Sequence, residues 1–500
     1  MRSSDGDGRI ARVMVLVAAV AAAVRLGPAV LLGELDKAVG YDEAVYFWAT
    51  QLVQAGVWPY ADFQFVHPPG IIVVLTPFAW LAGLTSDPVA VASARVFFAA
   101  AGAGSAALVV WLLREYGRWP AAAGGLLYAV WSAAALGESA VVMMEPWVSL
   151  GLLVALAALD SGRRTAPLVA GLALGTAIAV KLWVAVPIVV LCLLVVTGWR
   201  WRGLALYALG GFSAFAAIVL PFALRDPGGF WANVVGFQSG RPRDVGLAER
   251  VASFGGHLVP VDLVPAAAWL GLGLAGATLV AAPLATSLRR QIPPGQWSMP
   301  VWWSLLALLQ FATLAVVPSF YDNYTSFSAP ALCLLAGYGL SRLLSVFSGR
   351  AVGAALTLVA VSLTVLSLGS VRAITVMKEK ARPAELGDQV AGYDCVWAAD
   401  PSVLIEAGVS GAQAERRCPM FVDRFAVAVS ETGATDAAIP AALPSAARYQ
   451  AAVADQLRSS DAALLLDWQL QTFAPSTTAV LEEEFDHVAT VGEYRVWDRK

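Results

Sequence analysis

Charge is what this 500-residue chain has least of. Only 14% of its residues are Asp, Glu, Lys or Arg, against 58% hydrophobic, and lysine stands at just five positions, Lys37, Lys181, Lys378, Lys380 and Lys500. The net charge is −3 and no basic stripe is interleaved with aromatic residues, which excludes a nucleic-acid binder that must meet phosphates along a basic face. Glycine motifs that cradle phosphate are missing too, since neither a P-loop nor a dinucleotide-binding fingerprint occurs. Cysteine is scarce, at four residues, and no spacing makes a metal motif. Cys192 and Cys333 lie in apolar runs, where a thiol behaves as a small hydrophobe. Cys395 and Cys418 lie in polar sequence and could pair if that region is outside the cytoplasm, but only geometry decides. The first apolar run has no small-residue cleavage site, so it is expected to remain as a helix.

What the chain has in abundance is apolar sequence. A mean hydropathy of +0.68 and repeated apolar runs of roughly 17–25 residues predict a polytopic α-helical membrane protein. Eleven spans are expected, at 10–32, 93–113, 119–137, 145–160, 165–180, 182–198, 203–224, 263–287, 299–318, 326–345 and 351–371. Basic residues set their orientation. Arg2, Arg9 and Arg12 precede the first span, and Arg114 with Arg118, Arg163 with Arg164, Arg200 with Arg202, Arg289 with Arg290, and Arg342 with Arg350 mark every second loop. The expected N-terminus is therefore cytoplasmic and the C-terminus extracytoplasmic. Residues 165–199 hold two short helices with Lys181 at the turning point, a tight fit at 1.5 Å rise per residue. The Ala-rich spans and the preference for arginine over lysine suggest a bacterial source.

Under that topology the remaining ionisable residues converge on the outer face. Asp42, Glu43, Asp62 and His67 fall in the first outer loop, residues 33–92, Glu138 and Glu145 bracket the second, Lys181 marks the third, and Arg241 and Arg243 lie in the fourth. Tyr321 and Tyr324 belong to the fifth. In the first loop, Tyr46, Phe47, Trp48, Leu52 and Trp58 suggest an amphipathic helix at the headgroup level. Ile71 to Leu84 is too short to span and reads as a second interfacial or re-entrant helix. Two domains are expected: residues 1–375 in the membrane, and residues 376–500 as a small extracytoplasmic α/β domain. In the latter, Cys395–Ala398, Pro419–Val422, Ala462–Leu466 and Tyr494–Trp497 read as strands, with helices at Ser402–Ala407 and Ala446–Leu457.

Ionised groups near hydrocarbon are costly and mark substrate paths or catalytic sites, which singles out Tyr41-Asp42-Glu43. Asp42 is either a helix N-cap before Ala44–Leu52 or a reactive carboxylate. Glu145 is either a helix-start carboxylate favoured by the macrodipole or a site residue, and Lys181 either snorkels or meets an anion. Arg241 and Arg243, in "SGRPRD", could be a solvated loop. Tyr321 and Tyr324 could be interfacial anchors, as could Trp58, Tyr60, Phe63 and Trp231.

The loop "YDEAVYFWATQLVQAGVWPYADFQFVHPPG" resembles the first outer loop of the GT-C glycosyltransferases, most closely the family 39-like branch of protein O-mannosyltransferases and lipid A aminoarabinose transferases. "SARVFFAA", "MMEPWVSLGLL", "GLALGTAIAVKLW" and "FYDNYTSFSAPALCLLAGYGL" resemble further motifs of that family in the same order, over residues 10–370. The resemblance implies a GT-C fold and a sugar donor carried on a polyprenyl phosphate, transferred to a lipid, glycan or protein acceptor, with inversion. It implies Asp42 as general base and Glu43 as the residue that orients the acceptor or binds a cation. It also implies Glu145 as a second acidic site, Lys181 as the partner of the lipid phosphate, and Tyr321 and Tyr324 as the late tyrosine loop; Arg241 and Arg243 could complete an electrostatic clamp on that phosphate. His67 stands where close relatives carry lysine, and it offers a hydrogen bond with only part-time charge. No cofactor is implied, and a divalent cation at Asp42 and Glu43 is the minority case. The rival readings are a polyprenyl-lipid transporter or flippase, which predicts internal repeats and broken midplane helices, and a non-catalytic envelope scaffold.

Overall fold

A computed structural model of the chain describes residues 4–135, 141–254, 266–346, 350–377 and 382–500; Glu138 lies outside them. Each of the eleven expected spans falls on a helix. The helices are Ser4–Leu31, Asp87–Leu112, Arg118–Val130, Glu145–Asp160, Ala166–Ile178, Ala185–Ala223, Ala266–Arg289, Met299–Val316, Ala329–Val346 and Arg350–Met377. Two expected spans share Ala185–Ala223, where Arg200 takes a left-handed backbone (φ 57°) and breaks the helical path between them. Among the described residues, five segments are long and apolar enough to cross a membrane by length and composition: Gly8–Leu31, Asp87–Leu112, Leu182–Ala223, Met299–Val316 and Ala329–Val346. The chain is a multi-pass membrane protein.

The chain divides into two compact units. The first comprises residues 1–32, 96–217 and 245–377. Its core joins Tyr128, Leu152, Leu156, Leu174, Trp302, Trp303 and Leu334 from five helices. Without a hydrophobic driving force between lipid-embedded helices, close backbone approach through small residues drives their packing. Residues 171–175, Gly-Leu-Ala-Leu-Gly, do this. A Cβ on Gly171 would lie 2.1 Å from the Tyr207 carbonyl oxygen, and one on Gly175 would lie 2.4 Å from that of Gly211. Helix Ala166–Ile178 thus meets the second half of Ala185–Ala223 backbone to backbone. The last turn of Met299–Val316 is closed by a buried arginine: Arg250 donates to the carbonyls of Leu314 (2.8 Å), Val317 (2.6 Å) and Pro318 (2.9 Å), acceptors that a helix end leaves unsatisfied.

The second unit comprises residues 33–95, 218–244 and 378–500. The first loop therefore packs in the same unit as the C-terminal region. Its two expected helices are present as Tyr41–Gln54 and Gly70–Leu84. Tyr46, Phe47, Trp48 and Leu52 are buried in the protein rather than lying open on an interfacial face. Helix Gly70–Leu84 does leave Val73, Trp80 and Leu84 exposed.

The C-terminal region is α/β, with a four-stranded sheet of β1 (Val396–Ala398), β2 (Ala462–Leu466), β3 (Phe485–Val491) and β4 (Tyr494–Arg499) in the order β1-β2-β4-β3. β1 and β2 run parallel, with Trp397 opposite Ala463, while β4 is antiparallel to β2 and β3. The expected strand at Pro419–Val422 is not one. That segment is a loop between Cys418 and the N-cap Asp423, where Phe421 stacks on Tyr449 at 5.3 Å. Proline at its head also lacks the N–H a ladder needs. β3 was not expected.

Cys395 and Cys418 form a disulfide, closing β1 onto the helix Ser410–Glu415 and its following turn. Peptide mapping of the non-reduced protein is expected to find Cys192 and Cys333 alkylated after unfolding, and Cys395 and Cys418 alkylated only after reduction. Recovery of either of the last two as an alkylated thiol without reductant would contradict the pairing. Serine at both positions should lower stability by roughly 3 kcal/mol, the magnitude for a loop of this size.

Candidate active site

The residues singled out in the sequence fall into two groups, one in each unit. The first group surrounds Asp42. Helix Tyr41–Gln54 starts after Gly40, whose N–H donates to Glu43 Oε2 at 3.3 Å. Glu43, three residues in, therefore caps the helix, and Asp42 is released from that task. Asp42 and Glu43 then diverge: the side chain of Asp42 is exposed, whereas Glu43 is 1% exposed.

Glu43 is held by Arg95, which is fully buried. Arg95 Nε donates to Oε1 at 2.9 Å and Nη2 to Oε2 at 2.6 Å, the two-pronged geometry that suits a guanidinium to a carboxylate. The same guanidinium donates to the carbonyls of Leu35 (2.8 Å), Lys37 (2.7 Å) and Ala38 (3.2 Å). Ala38 is left-handed (φ 52°), a conformation non-glycine residues adopt at a cost, and the arginine fixes the carbonyls on either side of that kink. A buried ion pair of this kind adds little net stability, but breaking it exposes the survivor's full desolvation cost.

Tyr41, next to Asp42, donates from its hydroxyl to Asp423 Oδ1 at 3.0 Å and accepts from the Phe425 N–H at 2.8 Å. Burial pushes the Tyr41 hydroxyl well above its ordinary value, and the Asp423 carboxylate adds to this. Burial likewise raises the Asp423 carboxyl, against the pull of the Ala426 N–H, the Tyr41 hydroxyl and the nearby charge of Arg241. Arg241 lies 5.6 Å from the Phe425 ring and 5.8 Å from that of Phe237; Arg243 is exposed. His67 is half-buried in an aromatic nest, edge-on to Tyr46 at 5.7 Å and Phe65 at 5.9 Å. Its carbonyl accepts from the Tyr60 hydroxyl at 2.6 Å. Trp58 packs on Phe222 and lies 3.6 Å beneath the Arg225 guanidinium.

The second group surrounds Lys181. Helix Ala166–Ile178 ends short of it and Lys181 is extended (φ −146°), so its side chain leaves the helical path. Nζ donates to Glu145 Oε1 at 2.5 Å and sits 4.3 Å from the centroids of both Trp183 and Tyr324, a cation held against two π faces. Asn323 Nδ2 also donates to Glu145 Oε1, at 3.2 Å. Glu145 is 3% exposed, and its Oε2 has no hydrogen-bond partner among the described residues. Tyr321 stands edge-on to Tyr324 at 5.3 Å. The acidic, basic and tyrosine motifs of three separate segments thus meet in one cluster. Among the described residues, no group of three His, Cys, Asp or Glu side chains is arranged to hold a metal ion.

Arg95, Asp423, Trp183 and Asn323 were not singled out by sequence. Arg95 was in plain view as a charge inside "SARVFFAA", and Asp423 as an Asp heading a helical run. Their partners, 52 and 382 residues distant, were not. Glu43→Ala is expected to lower stability by about 3–5 kcal/mol by stranding Arg95. Thermal unfolding of the detergent-solubilised protein measures it, and a variant melting with the wild type would show that the clamp carries no load.

The sequence model of glycosyltransferase family 87 matches residues 65–312, and no curated protein matches by sequence. The structure is similar to that of ArnT from Cupriavidus metallidurans bound to undecaprenyl phosphate, with TM-score 0.60 and 18% identity over 97% of each chain. Its apo state aligns with the same TM-score and coverage at 17% identity. The Archaeoglobus fulgidus oligosaccharyltransferase, solved as a complex with zinc and sulfate, aligns with TM-score 0.57 and 14% identity, over 95% of this chain and 71% of that one. The long apolar helices, the two helices of the first loop, the appended α/β region and these matches give the chain the GT-C fold of those membrane glycosyltransferase structures.

Proposed function

We propose that the chain transfers a sugar from a polyprenyl-phosphate donor to an envelope acceptor on the extracytoplasmic face, with inversion and with Asp42 as general base. One observation carries the reading: Asp42 is an exposed carboxylate on a backbone whose next residue is locked by a buried arginine. An accessible base on a rigid mount is what a positioned proton acceptor requires. The undecaprenyl phosphate in the similar ArnT structure supports the donor class.

The step balances without a cofactor. Asp42 takes the proton of the acceptor hydroxyl as that oxygen bonds to the anomeric carbon. The bond from that carbon to the phosphate oxygen breaks, and polyprenyl phosphate departs with the electron pair. Arg241 and His67, in the same unit as Asp42, are assigned to the donor or acceptor as hydrogen-bond donors, and Lys181, held by Glu145 in the other unit, is an anion-binding candidate in its own right. Fixed positive charge aimed at a developing anion is the largest single contribution in many such reactions. Glu43, buried beneath the helix start, serves the base by holding it rather than by touching substrate.

The disulfide at Cys395 and Cys418 and the arginine-rich alternate loops support an extracytoplasmic C-terminal region and a cytoplasmic N-terminus. The acceptor is a lipid, glycan or protein of the envelope. A divalent cation at Asp42 is the minority reading, and activity that survives EDTA removes it.

Asp42→Asn keeps size and exposure but cannot accept the proton. It should reduce turnover by roughly 10²–10⁴-fold while leaving expression, melting temperature and donor binding as in the wild type. Full turnover in that variant would take Asp42 out of the mechanism.

A further inference from the structure

The C-terminal region grips helix Tyr41–Gln54 at three places. Before the helix, the Val39 N–H donates to Glu406 Oε1 at 2.7 Å, and Arg382 Nη1 bridges the Val39 carbonyl (2.8 Å) and Glu406 (2.5 Å). At its first residue, Tyr41 bonds Asp423 and the Phe425 N–H. Toward its last turn, Gln51 donates to Asp87 Oδ1 at 2.7 Å. The Ser410 hydroxyl lies 2.9 Å from Gln51 Oε1 and 2.8 Å from Asp87 Oδ2. An apolar seam of Val39, Ala44, Phe47, Ala90, Val91 and Ile405 runs between these polar contacts. Buried and satisfied polar networks of this kind fix one geometry among the several that apolar packing would allow.

The middle contact differs in kind from the other two. Asp423 is the N-cap of helix Arg424–Thr432, its Oδ1 accepting from the Ala426 N–H at 2.9 Å. The Tyr41 hydroxyl therefore ties the first residue of one helix to the cap of another. Asp42 is the next residue after Tyr41 and the one before Glu43. Both neighbours are pinned, Tyr41 by Asp423 and Phe425, and Glu43 by Arg95. Neither Tyr41 nor Asp423 is placed to take the substrate's proton: Asp423 is buried beneath its cap, and the Tyr41 hydroxyl already uses both its proton and a lone pair.

We infer that Tyr41 and Asp423 are positioning residues for Asp42, so that the C-terminal region is part of the mount of the catalytic base. The inference rests on the reading of Asp42 as base. A displacement of about 1 Å at a reacting group can cost on the order of 10²-fold in rate, so loss of this contact should be felt in turnover before it is felt in stability.

The experiment compares Tyr41→Phe, Asp423→Ala, Asp423→Asn and the Tyr41→Phe/Asp423→Ala pair in the full-length protein, with a radiolabelled polyprenyl-phosphate sugar as donor. Tyr41→Phe keeps the ring and is expected to lower kcat by roughly 10–100-fold, with donor KM and melting temperature unchanged. Asp423→Asn retains an acceptor oxygen for both donors and should restore most of the turnover that Asp423→Ala loses. Adding Asp423→Ala to Tyr41→Phe should cost no more than either alone, as for two residues acting through one contact. Full kcat in Tyr41→Phe would overturn the inference, as would a loss that merely follows the fraction of folded protein. If Asp423→Ala does not fold, Tyr41→Phe decides alone. An inactive Asp42→Asn beside a fully active Tyr41→Phe would defeat the positioning role only, whereas a fully active Asp42→Asn would overturn both readings.

Discussion

The pairing of Glu43 with Arg95 is the constraint on which the start of helix Tyr41–Gln54 depends. A guanidinium with no exposed surface must be neutralised and hydrogen-bonded to remain where it is. Arg95 meets that demand with one carboxylate and the carbonyls of a kinked loop. The bond accounts for several features at once. It places Glu43 inside, supplies the helix with a cap at Gly40, tolerates a left-handed Ala38, and leaves Asp42 as the carboxylate that reaches solvent. Two adjacent acids thus acquire opposite environments from a single buried cation.

A second constraint works through chain topology. The first loop and the C-terminal region share a compact unit, tied by Arg382 and Glu406 on the Val39 backbone, by Tyr41 with Asp423, and by Ser410 with Gln51 and Asp87. Residues hundreds of positions apart therefore determine where Tyr41, the neighbour of Asp42, stands. In the other unit, Lys181 rests against Glu145, Trp183 and Tyr324. Its charge is compensated in the free protein, and an incoming anion would compete with Glu145 for it. Among the described residues Glu145 Oε2 has no hydrogen-bond partner, a costly condition for a buried acceptor.

Much of the fold was legible because membrane spans are written in local composition. Every expected span falls on a helix, and even the loop at Arg200 and Arg202 appears as a left-handed break within one long helix. β1, β2 and β4 could be read from short apolar runs. β3, in Phe-Asp-His-Val-Ala-Thr-Val, lies on the edge of the sheet with mostly exposed side chains, so its alternation carries little hydrophobic signal. Pro419–Val422 misled for the opposite reason, because its apolar residues serve a loop, with Val422 buried and the half-buried Phe421 stacked on Tyr449. At the site, residue types were readable and partnerships were not. Asp42 and Glu43 look alike as neighbours in a string, and only the long-range contact with Arg95 tells them apart. The aromatic residues of helix Tyr41–Gln54 suggested a membrane surface, but they are buried, Phe47 in a cluster that includes Ile405 of the C-terminal region.

The central claim is that this protein breaks the bond between a sugar and a polyprenyl phosphate. Its most direct test is reconstitution in sealed vesicles carrying a panel of radiolabelled polyprenyl-phosphate hexoses and pentoses, together with an extract of envelope acceptors. The account predicts that one donor is consumed, with polyprenyl phosphate released in step with label appearing on the acceptor fraction. A donor that stays intact, or that crosses between leaflets without being cleaved, would contradict it.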